Sequence, residues 1–358
     1  MNRRFISVVL SMLLFACATP QGDDRNEDGL RDTAEGRYGG ALGDSPVGVI
    51  PDVNIRDDAR NRDYQISIEY PTRGTNFPLL IFSPGYGASN RSYVGLSSSW
   101  TSNGYVVIRT SHADSGRVPS PDTDVWSTQT PSDWRNRVRD VTYLIDTLDK
   151  LEERFPELQG KIDHSKIGVG GHSYGAFTAM LVGGAKTFPG AVSYADPRVK
   201  AIVAMSPQGP GDVRGLTTES FASVNVPALF MTGTSDNGMS ETETPEWRRE
   251  AYALSPAGNK WLVVLDGARH ASFTGRTEDL VRPIERRDPN VDSMGSPNIT
   301  QLPRTSGRNA ATLSIRERMI FNRVKGLSLA FWDLALKGDE KGREALSQPV
   351  SGATVEKK

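Results

Sequence analysis

Apolar residues fall into short runs divided by polar stretches, and the runs alternate between two periods. Residues 64–70 alternate apolar and polar positions like a half-exposed strand, and the Pro- and Gly-containing stretch 71–76 turns the chain. Residues 78–82 form a continuous apolar run, as expected of a central parallel strand, and end in Ser83-Pro84-Gly85-Tyr86-Gly87-Ala88. A second buried strand spans 104–109 and ends at the segment 112–115. Residues 116–133 are rich in Pro, Ser and Thr and read as a loop, with Trp126 and Trp134 as candidate covers for a pocket. Val138, Val141, Leu144, Ile145, Leu148 and Leu151 then recur with a helical period and predict one helix over 136–155. It leads to a short strand containing Ile167 and Val169, after which three further strands are expected at 199–205, 226–232 and 260–265. The last clear element is a long helix over 311–336, with Ile315, Met319, Ile320, Val324, Leu327 and Phe331 along one side. No internal repeat interrupts this order.

Strands alternating with helices imply a mostly parallel central sheet flanked by helices, with right-handed crossovers. Ligands then bind at the carboxyl ends of the strands. Tyr86, His112, Ser173, Asp236 and His270 are all expected at those ends.

The short strand runs into Gly171-His172-Ser173-Tyr174-Gly175, followed by the helix-compatible residues Ala176, Phe177, Met180 and Leu181. Strand, Gly-x-Ser-x-Gly turn and helix together define a nucleophile elbow, which holds the serine in a strained conformation with Oγ exposed. A serine hydroxyl needs an imidazole to take its proton, and the imidazole needs a carboxylate to set its tautomer. Of the four histidines, His172 lies inside the elbow and points away from Oγ, and His164 falls in a polar turn. His112 precedes the serine and reads as a pocket residue. His270 follows the last strand and is the expected base. Asp236, just past a strand, is the expected acid, with Asp266 as its rival; the order Ser173, Asp236, His270 is that of an α/β-hydrolase. The backbone amides of Tyr174 and Tyr86 are the expected oxyanion donors, and Gly85 and Gly87 give the Tyr86 loop its freedom. His112, Trp126 and Phe273 are candidate pocket residues.

These pieces resemble the α/β-hydrolase superfamily. The branch is the one shared by dienelactone-hydrolase-like proteins, platelet-activating-factor acetylhydrolases and polyester-degrading, cutinase-like enzymes. The resemblance rests on segments 82–87, 171–175, 232–236 and 270–273, and on the 331–338 helix end, which is like the closing helix of dienelactone-hydrolase relatives. Serine stands where true dienelactone hydrolases carry cysteine, and Pro84 stands where the acetylhydrolases usually carry histidine. The Pro84-Gly85-Tyr86 loop is similar to that of polyester hydrolases. The resemblance therefore implies a serine esterase of α/β-hydrolase fold, needing no cofactor and acting on a small-molecule or polymeric ester. A peptidase with the same triad, and a surface protein that kept the fold without the chemistry, are the competing readings.

Charge is balanced, 42 Lys and Arg against 43 Asp and Glu, which steers the chain neither to nucleic acid nor to anionic surfaces. The amino terminus carries an address: Arg3 and Arg4, then an apolar segment over 5–16 that is too short to span a membrane. The segment ends in Leu14-Phe15-Ala16-Cys17, which resembles a bacterial lipobox. A signal peptide over 1–17 with lipidation of Cys17 follows from that resemblance. The alternative is an ordinary secretory signal with an incidental cysteine. Either way the protein is expected to be exported, as an outer-membrane or cell-surface lipoprotein or otherwise as a periplasmic or secreted protein; in a Gram-negative host, Ala18 after the cysteine favours the outer membrane. Cys17 is the only cysteine, so no intramolecular disulfide forms. Residues 18–46 read as a polar tether, 47–346 as the catalytic domain with a lid-like excursion at 271–308, and 347–358 as a tail. Within the tether, Asp24, Asn26, Asp28 and Glu35 match the spacing of a calcium loop around Gly29, although a solvated acidic linker produces the same spacing.

Overall fold

The computed structural model describes residues 36–117, 134–211, 215–238, 240–275 and 314–358. Its strands are β1 (Val47–Asp57), β2 (Arg62–Pro71), β3 (Phe77–Ser83), β4 (Val106–Thr110), β5 (Ile162–His172), β6 (Lys186–Thr187), β7 (Val192–Ser193), β8 (Val199–Met205), β9 (Ala228–Ser235), β10 (Lys260–Arg269) and β11 (Ala353–Lys357). The helices are α1 (Val94–Ser102), α2 (Trp134–Asp146), α3 (Leu148–Arg154), α4 (Tyr174–Val182), α5 (Pro245–Leu254), α6 (Ile315–Trp332) and α7 (Glu340–Ser347).

Among the described residues, nine strands form one sheet in the order β1-β2-β4-β3-β5-β8-β9-β10-β11, and β6 and β7 form a separate ribbon. The six strands from β4 to β10 run parallel. β1, β2 and β11 join antiparallel at the edges. The central strands are uniformly apolar because both faces are covered. On one face Leu79, Ile81 and Val169 pack with Val141 of α2 and Phe177 of α4. On the other, Leu80, Phe82 and Val203 pack with Trp100 of α1 and Trp332 of α6. Every residue of α4 is buried, which explains why the run after the elbow is apolar on all sides.

Several boundaries differ from expectation for local reasons. The helix expected over 136–155 is two helices, because the Thr147 hydroxyl donates to the Leu144 carbonyl at 3.0 Å and competes with the helical pattern. The last helix begins at Ile315, where Ser314 and Glu317 cap each other reciprocally. It then passes into a π-turn, Asp333–Lys337, that stops at left-handed Gly338.

Two domain boundaries need correction. The supposed tail over 347–358 contains β11, which covers the edge of β10, pairing Val355 with Val263 and Ala353 with Leu265. The supposed tether also reaches into the body. Asp333 is fully buried and requires partners, and Arg37 Nε lies 2.6 Å from its Oδ2. Tyr38, Tyr105 and Lys337 join the cluster around Asp333 at 3.2, 2.8 and 3.0 Å. No helix among the described residues is long and apolar enough to cross a membrane.

Candidate active site

Ser173 stands between the end of β5 and the start of α4, with φ 55° and ψ −119°, a region that non-glycine residues rarely occupy. Its amide donates to the Met205 carbonyl at 2.9 Å, tying the turn to β8. The elbow glycines are required by contact. A Cβ on Gly171 would collide with the Gly175 carbonyl, and one on Gly175 with the Ser83 carbonyl, so strand, helix and the β3 loop close on each other only without side chains.

The base and the acid are brought together by strand register. β9 and β10 are parallel, and Ser235 pairs with Arg269, so the next residues, Asp236 and His270, leave the sheet side by side. His270 Nδ1 lies 2.9 Å from Asp236 Oδ1, and His270 Nε2 lies 2.8 Å from Ser173 Oγ. An ionised Asp236 only accepts, so Nδ1 carries the proton and Nε2 accepts from the serine hydroxyl. Asp236 is fully buried, while the His270 side chain is 35% exposed, leaving the serine end of the chain open to a ligand.

Burial by itself would raise the Asp236 pKa; the hydrogen bond from His270 and the charge of Arg248 outweigh it and draw the carboxyl down to about 2. Arg248, on α5 and buried, lies 3.1 Å from Oδ1 through Nε and also donates to the Asp236 carbonyl at 2.9 Å. The second carboxylate oxygen accepts from the Thr232 hydroxyl at 2.9 Å. The rival Asp266 is an exposed residue of β10.

His172 is buried and points away from Ser173 Oγ toward two other partners. Its Nε2 lies 2.9 Å from the His270 carbonyl, and its Nδ1 lies 2.8 Å from the Tyr93 hydroxyl. A carbonyl only accepts, so Nε2 is protonated and Nδ1 accepts from Tyr93. The Tyr93 oxygen in turn accepts the Gly85 amide at 3.2 Å. The loop after β3 and the backbone of His270 are thus joined through Tyr93 and His172. Burial, followed by repulsion from a protonated His270, holds the His172 pKa well below the usual histidine value, so the ring is a neutral spacer.

Tyr86 lies in the β3–α1 loop, half-buried, with its ring centroid 6.0 Å from that of Tyr174. Its neighbours are committed: the Gly85 amide donates to Tyr93 and the Gly87 amide to Asp114 Oδ2 at 2.9 Å. Tyr174 opens α4, directly after the serine.

The pocket residues need correction. His112 is enclosed: Nδ1 lies 2.9 Å from Asp140 Oδ2, and Nε2 lies 3.0 Å from the hydroxyls of Ser83 and Thr110. The buried carboxylate of Asp140, held also by Arg62, draws the ring inward. Phe273 is completely buried and stacks on His172 at 5.7 Å, because the 3-10 turn after His270 folds back into the core. Trp134 is likewise a core residue, edge-on to Phe177 and Tyr194. Trp126, Cys17 and the calcium-loop candidates Asp24, Asn26, Asp28 and Glu35 lie outside the described residues, as does the part of the 271–308 excursion beyond Gly275. His164 belongs to β5 rather than to a turn before it and bonds Glu152 at 2.7 Å. With Asp149 these two gather three ligand-type atoms within 4.8 Å, on the surface at the opposite end of β5 from the elbow.

A mostly parallel sheet with a serine elbow, and a histidine and an aspartate on the loops that follow, defines an α/β-hydrolase fold. The chain belongs to the alpha/beta hydrolase family, whose family profile matches residues 80–291. Among solved structures, the ferulic acid esterase from Streptomyces cinnamoneus is similar, with a TM-score of 0.56 and 19% identity over 87% of this chain and 96% of that one. No curated protein matches the chain.

Proposed function

We propose that the protein is an exported serine hydrolase that cleaves carboxylic esters through an acyl-enzyme. The unbroken chain from Ser173 Oγ through His270 to the buried Asp236, at 2.8 and 2.9 Å, carries this reading. Ser173 Oγ attacks the ester carbonyl as His270 Nε2 takes its proton, and the Tyr86 and Tyr174 amides receive the oxyanion. His270 then returns the proton to the departing alcohol, leaving an acyl group on Ser173. Water, deprotonated by the same imidazole, releases the acid and restores the serine. Asp236 keeps the proton on Nδ1 and balances the imidazolium throughout.

The structural neighbour is named for an ester-cleaving activity, which supports esters as the substrate class. Hydrolysis of a p-nitrophenyl ester series by wild type and Ser173→Ala tests the reading. Turnover confined to the wild type is expected. A folded wild type inert on every ester would overturn it.

The proposal includes export and lipidation at Cys17, on the strength of Arg3, Arg4, the apolar segment 5–16 and the cysteine that ends it. The mass of the mature amino terminus decides between outcomes: a diacylated Cys17 is expected, and a mature chain cleaved elsewhere with a free thiol would leave secretion without an anchor.

A further inference from the structure

Arg137 and Asp114 form a completely buried ion pair beside the site, with Arg137 Nε 3.0 Å from Asp114 Oδ1. Such a pair is a poor way to gain stability, because removing two charges from water costs about as much as their attraction returns. Its contacts point elsewhere. Nη1 and Nη2 of Arg137 each donate to the Pro84 carbonyl at 3.0 Å, and Nη2 also reaches the Gly85 carbonyl at 3.4 Å. Asp114 Oδ2 accepts the Gly87 amide at 2.9 Å and faces Arg137 Nη2 at 3.3 Å. The guanidinium also lies over the Tyr174 ring, 4.4 Å from its centroid.

These contacts bracket Tyr86. The Gly85 carbonyl and the Tyr86 amide belong to one planar trans peptide and point in opposite directions. The carbonyl is held on the Arg137 side by the Ala88 amide at 3.1 Å together with Arg137 Nη2, which directs the Tyr86 N–H to the other side. The next peptide is held through its Gly87 amide by Asp114. One ion pair thus touches both peptide planes that flank Tyr86, adding to the turn bond from Ala88, while the guanidinium braces the residue that supplies the second amide.

We infer that Arg137 and Asp114 are positioning residues for the oxyanion site: they fix the direction of the Tyr86 amide in advance of the reaction. The inference rests on the serine-hydrolase reading. Preorganised donors give most of their benefit in the transition state, and removal of one donor typically lowers kcat on the order of 100- to 1,000-fold. Loosening a donor that remains present costs less.

The test compares p-nitrophenyl butyrate kinetics of wild type, Ser173→Ala, Arg137→Met, Arg137→Lys and Asp114→Asn, with active sites counted by exhaustive reaction with a p-nitrophenyl phosphonate. For Arg137→Met, kcat per site is expected to fall roughly 10- to 100-fold with KM changed less than about two-fold. The rate of phosphonylation should fall in parallel, since its phosphoryl oxygen takes the oxyanion position, and the pH profile should stay in place. Arg137→Lys keeps the charge without the fork and should recover part of the loss. Asp114→Asn, nearly isosteric, serves if the Arg137 variants do not fold, and should lower kcat in the same way. If folded variants with a lower Tm keep the wild-type kcat per site, the pair is only structural and the inference falls. If the wild type neither turns over ester nor reacts with the phosphonate, the hydrolase reading itself fails and takes the clamp with it.

Discussion

Arg248 and His270 share one carboxylate oxygen of Asp236, Arg248 Nε at 3.1 Å and His270 Nδ1 at 2.9 Å. The acid of the site is therefore neutralised by a permanent cation before the imidazole becomes one. Its low pKa, about 2, keeps it ionised well into the acid range.

This ionisation ties stability to pH. The unfolded chain carries the same carboxyl at about 3.9, so the folded state binds its proton less readily. The stabilisation is essentially complete above about pH 5 and is lost as pH falls through the folded value of about 2. Urea unfolding of wild type and Asp236→Asn should show a stability gap that narrows by about 2 kcal/mol between pH 5 and pH 2. A gap independent of pH would contradict the depressed pKa.

Asp236→Asn also removes the acceptor that holds the proton on His270 Nδ1. An asparagine can donate there and favour the wrong tautomer, so kcat should fall on the order of 10,000-fold. Pre-steady-state ester hydrolysis at equal folded concentration measures it. A loss smaller than about ten-fold would mean that Asp236 does not set the tautomer.

Tyr93→Phe should disturb both ends of the link through His172. It deprives His172 Nδ1 of its donor and the Gly85 amide of its acceptor. Each buried group left unpaired costs about 1–3 kcal/mol, so both stability and kcat should drop. Denaturant midpoints and ester kinetics on the same preparation separate the two effects.

Gly175→Ala is expected to give inactive or insoluble protein, because the added methyl would occupy the position of the Ser83 carbonyl, where backbone cannot give way. Soluble yield and phosphonate labelling are the measurements. Full labelling would show that elbow and loop separate more easily than their contact implies.

Deletion of residues 348–358 removes β11 and exposes the edge of β10 at Trp261, Val263 and Leu265. An open apolar edge invites pairing between molecules, so light scattering at fixed protein concentration should rise relative to the full chain.

What the chain determined locally could be read locally. The elbow was legible because two glycines around Ser173 leave few other backbone solutions, and the central strands because their apolar runs follow from burial on both faces. Ser173, Asp236 and His270 were legible as a set because each follows directly on a strand, β5, β9 and β10, whose apolar run is visible. Contacts across the fold were not legible. Arg137 reaches Pro84 from 53 residues away, His172 reaches the His270 carbonyl from 98, and neither arginine of the site stands in a motif. His112 and Phe273 looked like pocket residues from their place at strand ends, yet Asp140 and His172 drew them inward. β11 pairs with the edge of β10 and β1 with the edge of β2, contacts that no local signal announced. Periodicity and turn chemistry act between neighbours in sequence, whereas burial, charge partners and peptide direction are decided by whichever segments the sheet brings together.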